Sequence, residues 1–148
     1  MTSTSSADRA DQPRSPLDDL VPAWLSVPEV AERLGTAPSN VRGAFASRRI
    51  VGSRPGGHQG FRVPEAFLVP AHLANAADPG PAPEPGHEKE VILPSLQGTI
   101  VQLHDAGLTD DEIVAWLFTT NDDLGTTPVQ ALRKGHKSAV RRAAQLLD

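Results

Sequence analysis

The chain has 148 residues, a formal net charge of −4 and a sequence pI of about 5.7, enough for one ordinary domain or two small ones. Aromatic residues make up only 4%, so aliphatic packing must supply most of the stability. Cysteine is absent, which excludes disulfides, thiol nucleophiles and cysteine-ligated zinc and fits a reducing cytoplasm. No apolar run is long enough to cross a bilayer. The N-terminus lacks the basic-then-apolar pattern of a signal peptide, so the expected location is cytoplasmic.

Residues 1–22, beginning MTSTSSADRADQPRSP, are small, polar and proline-punctuated, a composition that predicts a disordered Ser/Thr-rich tail. Its hydroxyls are candidates for a Ser/Thr protein kinase, with Thr2 and Thr4 the expected sites. Phosphate added there would oppose binding to any neighbouring polyanion.

From Trp24 onward the local signals agree with one another. Ser26 and Glu29 form a capping box, Pro28 suits a first helical turn, and Val27, Val30, Ala31 and Leu34 recur at helical spacing. Gly35 stops this helix. Thr36 is the expected cap of the next, with Pro38 in its first turn and Val41, Ala44 and Phe45 as its apolar face. Two helices joined by a short glycine-containing turn match the helix-turn-helix pattern. Ser39, Asn40 and Arg42 are left on the exposed side of the second helix. Asn pairs with adenine and Arg with guanine in a bidentate way, and Ser hydroxyls serve phosphates or bases. Gly43 weakens that helix by about 1 kcal/mol relative to Ala.

Ile50-Val51 and Phe61-Arg62-Val63 predict two short strands around the turn-forming run from Gly52 to Gly60. This is a wing, with Arg48 and Arg49 at its base and Arg54 and Arg62 along it, and no acidic residue occurs from Arg33 to Arg62. Arginines on such a projection neutralise backbone phosphates and release counterions. A short helix is expected over 64–69. The run Asp78-Pro79-Gly80-Pro81-Ala82-Pro83-Glu84-Pro85-Gly86 follows as an extended linker.

Beyond the linker, 94–106 predicts a helix with Leu96, Ile100 and Leu103 on one side, ended by Gly107. Thr109 and Glu112 form a second capping box ahead of Ile113, Val114, Trp116 and Leu117. Thr127 caps a third helix with Pro128 at its first position. Gly135 separates it from a last helix whose buried face is expected to hold Ala139, Val140, Ala143, Leu146 and Leu147.

Charge is distributed unevenly. Between Trp24 and Leu73, Arg33, Arg42, Arg48, Arg49, Arg54 and Arg62 face only Glu29, Glu32 and Glu65, a net of +3. From Ala74 to Pro128 only Lys89 opposes ten acidic residues, a net of −9. Such asymmetry favours a nucleic-acid-facing part joined to a part that meets something else. Nothing asks for catalysis, a cofactor or a metal. His58, His72, His87, His104 and His136 are dispersed without zinc-ligand spacing, and the glycines at 52, 56, 57 and 60 lack the Gly-Lys-Ser/Thr ending of a phosphate loop.

Trp24-Leu25-Ser26-Val27-Pro28-Glu29-Val30-Ala31, Arg48-Arg49-Ile50-Val51 and Arg62-Val63-Pro64 resemble the actinobacterial winged-helix DNA-binding proteins, a family that includes a mycobacterial substrate of Ser/Thr protein kinases. The resemblance runs from about Leu20 to the end and extends more loosely to excisionase-like and MerR-like domains. The long dimerisation helix of MerR regulators is missing. Ala115-Trp116-Leu117, Thr120-Asn121, Leu124-Gly125 and Thr127-Pro128 are similar to the C-terminal domain of Xre/ParS-like antitoxins, which implies a protein partner at the C-terminal helices. Thr120 and Thr126 depart from that pattern.

The expected fold is therefore mainly α with a small β-hairpin wing: a disordered tail (1–22), a winged helix-turn-helix (23–77), a Pro-rich linker (78–89) and a C-terminal helical bundle (90–148). The expected function is non-enzymatic binding of double-stranded DNA, at the nucleoid, as a transcriptional regulator or nucleoid-associated factor. Ser39, Asn40, Arg42, Arg48, Arg49, Arg54 and Arg62 are the contact residues. The alternative is an antitoxin-like protein-binding module with autoregulatory DNA contact.

Overall fold

The computed structural model describes residues 16–54 and 61–147. Thr2, Thr4 and the wing tip at 55–60 lie outside them. The described chain is mainly helical, with two small antiparallel sheets.

The first helix, α1 (Pro16–Leu20), falls where the disordered tail was expected. Leu17 and Val21 are buried, and with half-buried Leu20 they form one apolar face that packs on a helix of the C-terminal half. The polarity of residues 1–15 masks this short apolar group when the segment is averaged as a whole.

Strand β1 (Trp24–Ser26) leads into α2 (Val27–Leu34) through the expected capping box. The Ser26 backbone N–H donates to Glu29 Oε1 at 2.7 Å, and the Glu29 N–H donates to Ser26 Oγ at 3.2 Å. Gly35 closes the helix in the left-handed region (φ 69°, ψ 38°), where a Cβ would be strained. Helix α3 (Pro38–Ala46) follows, with Ala37 as its N-cap and no side-chain cap. Thr36 does not cap it; the Thr36 hydroxyl oxygen instead accepts from the Asn40 side-chain amide. Val30 and Ala31 face Val41 and Ala44 across the helix pair, and all four are buried.

The sheet beside this pair is not the hairpin that the sequence suggests. Strand β2 (Arg62–Pro64) pairs with β1, in the register Trp24↔Pro64, Leu25↔Val63, Ser26↔Arg62. On its other side it makes a single bridge, Ser53↔Arg62. Ile50 and Val51 are buried but belong to no strand. The expected helix over 64–69 is a 3-10 turn (Glu65–Phe67) running into β3 (Leu68–Pro70). Prolines at 64 and 70 bracket it, and β3 exits extended to pair with β4 (Glu90–Ile92) in the register Leu68↔Ile92, Val69↔Val91, Pro70↔Glu90. The proline-rich run is therefore part of a long excursion between two paired strands, closed at its ends by Ala71 N–H donating to the Lys89 carbonyl at 2.8 Å.

The C-terminal half holds α4 (Leu96–Asp105), α5 (Asp110–Leu117), α6 (Pro128–Arg133) and α7 (Lys137–Gln145). Thr109 and Glu112 make their capping box, and Thr127 caps α6 with Pro128 in the first turn. Val140, Ala143 and Ala144 form the buried face of α7, whereas Leu146 is 74% and Leu147 41% exposed. The helix ends at Gln145, so these two leucines leave its apolar face. One continuous apolar cluster joins Val30, Val63 and Phe67 to Leu96, Leu103, Ile113, Leu117 and Val140. Phe67 stacks obliquely on Phe118 at 5.7 Å. Arg133 reaches back from α6 to donate to the Ala66 and Leu68 carbonyls at 2.6 and 2.9 Å.

Phe67 is fully buried where the two halves meet, so Phe67→Ala is expected to cost about 3–5 kcal/mol. Because the core is shared, single-tryptophan variants retaining either Trp24 or Trp116 are expected to report coincident denaturant transitions. Separate midpoints would show that the halves unfold independently.

Candidate nucleic-acid interface

Helix α3 presents Ser39, Asn40 and Arg42 outward, all exposed. Beside its C-terminal end lies a cleft of about 670 Å³ lined by Arg42, Arg48, Arg54 and Arg62. Its apolar floor includes Phe45, Ile50, Val51 and Phe61. The Phe45 and Phe61 rings lie 5.5 Å apart, and the Arg54 guanidinium sits 4.5 Å above the Phe61 ring. That arrangement holds a long cation over an aromatic face. Four of the seven expected contact residues are thus gathered from α3, the segment after it and the two sides of the Ser53↔Arg62 bridge.

The other three are placed differently. Arg49 points to a second hollow with Leu34, Lys89 and Glu90, and its Nε donates to Ser47 Oγ at 3.3 Å. Ser39 and Asn40 do not line the cleft, and the Asn40 amide is engaged with Thr36. Arg33, one of the six arginines counted in this region, is paired with Glu65 at 2.8 Å and Glu90 at 3.6 Å.

Arg48 owes its place to the way α3 ends. It has φ +62°, the one described non-glycine residue with positive φ. The Arg48 N–H donates to the Phe45 carbonyl at 3.1 Å and the Arg49 N–H to the Ala44 carbonyl at 2.9 Å. This is the Schellman closure of a helix, whose left-handed position is ordinarily glycine. Gly52 answers a different constraint: a Cβ there would meet the Arg62 carbonyl oxygen at 2.8 Å and the Phe45 ring at 3.1 Å. Only glycine lets the chain pass between the ring and β2.

Three contributors carry no direct signal of this role in the sequence pattern. The sequence pattern makes Phe61 a strand residue, yet it is 40% exposed and lines the cleft. Its arginine and glycine neighbours were the available signal. Asp110 lines the same cleft, and Asp111 accepts a 2.7 Å hydrogen bond from the Ser53 hydroxyl. Both come from α5, far along the chain, and nothing local announces them. Near the cleft edge, hydrogen bonds from Ser26, first backbone and then side chain, hold the Glu29 carboxyl below its ordinary value, with smaller help from Arg62 and Arg33. Among the described residues no group of three or more His, Cys, Asp or Glu side chains could hold a metal, and no helix is long and apolar enough to cross a membrane.

These features define a small, mainly helical protein in which a pair of short helices and the segments around Gly52 and Arg62 line an arginine-rich cleft. Residues 93–147 match the family model described as the Rv2175c C-terminal domain of unknown function. The chain is 31% identical over 127 residues to the DNA-binding protein Rv2175c of Mycobacterium tuberculosis (strain ATCC 25618 / H37Rv), spanning 86% of this chain and 69% of that protein. The NMR structure of Rv2175c aligns with a TM-score of 0.62 at 27% identity, covering 85% of this chain and 82% of that one. The chain belongs to the Rv2175c family.

Two outcomes follow from the local geometry. Arg48→Gly is expected to stabilise the fold by about 1 kcal/mol, because the left-handed penalty disappears, while Arg48→Ala gives no such gain. Equal midpoints for the two variants in denaturant would contradict this. The Glu29 carboxyl, lowered on folding, contributes stability that is present above its ordinary value of 4.5 and lost as pH falls below it. Glu29→Gln is therefore expected to flatten the acid limb of the melting-temperature profile.

Proposed function

We propose that this protein binds double-stranded DNA as a winged helix-turn-helix module, with α3 as the recognition helix and the excursion between Gly52 and Phe61 as the wing. The observation that carries this reading is the convergence of Arg42, Arg48, Arg54 and Arg62 on one cleft at the end of α3. Four guanidiniums with one facing carboxylate, Asp110, suit a phosphate backbone. The printed name of the mycobacterial relative, a DNA-binding protein, supports the same conclusion.

In this reading Arg48, Arg54 and Arg62 hold phosphates or enter a groove, and exposed Ser39 and Arg42 reach base edges. Asn40 reads a base only after its amide leaves Thr36. Arg49, turned to the other side of the wing root, contributes to the general field. The role is that of a transcriptional regulator or nucleoid-associated factor. Phosphorylation of Thr2 or Thr4 would weaken binding by adding negative charge to a chain that must approach a polyanion.

Fluorescence anisotropy of a labelled duplex across a salt series tests the proposal. The wild type is expected to show a linear fall of log K with log salt, and Arg54→Ala and Arg62→Ala should each lower that slope by about 0.9. Arg33→Ala, which removes a cation already paired with Glu65 and Glu90, should leave the slope unchanged. An identical slope in the wild type and both cleft variants would remove the DNA reading.

A further inference from the structure

We propose that the C-terminal helical unit, which matches a domain described as of unknown function, is the positioning element for the arginine-bearing strap, acting through Gln97 and Asp111. The inference rests on the DNA reading for its purpose, though not for its geometry.

The strap runs from Ser47 to Ser53 and carries Arg48 and Arg49 before handing on to Arg54. The C-terminal half grips it at both ends. Gln97, in the first turn of α4, donates from Nε2 to the Ser47 carbonyl at 2.9 Å. That carbonyl lies at the C-cap of α3, beyond the reach of the helix's own hydrogen bonds. At the other end, Ser53 is 2% exposed, and both its backbone groups are already used by Arg62, at 2.9 and 2.7 Å. Its hydroxyl remains, and it donates to Asp111 Oδ1 at 2.7 Å.

Asp111 is available for this because Thr109 and Glu112 alone complete the α5 capping box. Between the two grips sits Arg48 in its strained conformation. Such a conformation persists only where the surroundings over-determine it. Long arginine side chains also bind with less entropic loss when their backbone is already fixed.

The sign of the Asp111 effect separates positioning from plain electrostatics. Removing a carboxylate near a phosphate-binding cleft should tighten binding if charge alone matters. If Asp111 positions the wing root, Asp111→Ala should weaken binding despite losing a negative charge. Asp111→Asn keeps an acceptor for the Ser53 hydroxyl while losing the same charge, so it should bind at least as tightly as the wild type.

The test combines anisotropy of a labelled random-sequence duplex with amide hydrogen exchange over residues 48–54, on the full chain. Asp111→Ala and Ser53→Ala are each expected to weaken binding about tenfold, the loss of one charge-assisted hydrogen bond, and to speed exchange in the strap. Asp111→Asn should do neither. Asp111→Ala binding as tightly as Asp111→Asn, or exchange unchanged in both alanine variants, would overturn the proposal. A wild type that does not bind DNA but shows the exchange pattern would defeat the DNA reading and leave the clamp standing.

Discussion

The backbone of Arg62 is the junction on which the rest depends. It faces Ser26 across β1 and exchanges two hydrogen bonds with Ser53 on its other side. Ser26 is also the N-cap of α2, so the start of the helix pair and the Ser53 bridge are fixed on one rung. The approach of residues 52 and 53 to β2 is close enough to exclude any side chain at Gly52. Phe45 closes the gap from α3. Arg54 and Arg62 take their places at the cleft from that crossing, and the Phe45 ring packed on Gly52 brings the end of α3, with Arg42 and Arg48, to the same side.

Three-residue strands do not hold themselves together in water. Here each two-stranded sheet is covered by a core that belongs to both halves of the chain. Val63 and Phe67 are fully buried, and Phe67 meets Phe118 from the far side of the proline-rich excursion. The 3-10 turn before β3 leaves carbonyls without helical partners, and the Arg133 guanidinium takes those of Ala66 and Leu68. A guanidinium suits the position because it offers several donors in a rigid fork. The helices at the C-terminus thus act on the N-terminal half through apolar contact and through directed hydrogen bonds.

Features encoded within four or five residues were legible in the sequence. Both capping boxes, the glycine stop at Gly35 and the Thr127-Pro128 helix start stand where their spacing places them. What depends on distant partners was not legible. Trp24–Ser26 is too short to show an alternating pattern, and its identity as a strand comes from Arg62–Pro64. Ile50 and Val51 look like a strand because they are buried and branched, yet burial alone accounts for them. Leu146 and Leu147 carry the helical period past the last turn of α7 and end in solvent. Among the contact candidates, the cleft arginines are legible by residue type. Their separation from Arg49 is not, because it turns on the left-handed backbone of Arg48, and no propensity predicts that conformation for an arginine.

The small positive excess of residues 24–73 understates how the charge is used. Arg33 contributes to that excess but is occupied by Glu65 and Glu90, away from the cleft. The cleft itself gathers four arginines against the carboxylate of Asp110. Most of the remaining acid lies between Ala74 and Pro128, beginning with an exposed excursion that projects from the other sheet. In the proposed binding mode this division does two things at once. Phosphates are drawn to the wing root, where the guanidiniums converge, and repelled from the acidic surfaces, so the field orients the encounter as well as driving it. An acidic protein can then engage a polyanion through one face only, and the position of that face is set by the contacts that hold the Ser47–Ser53 strap.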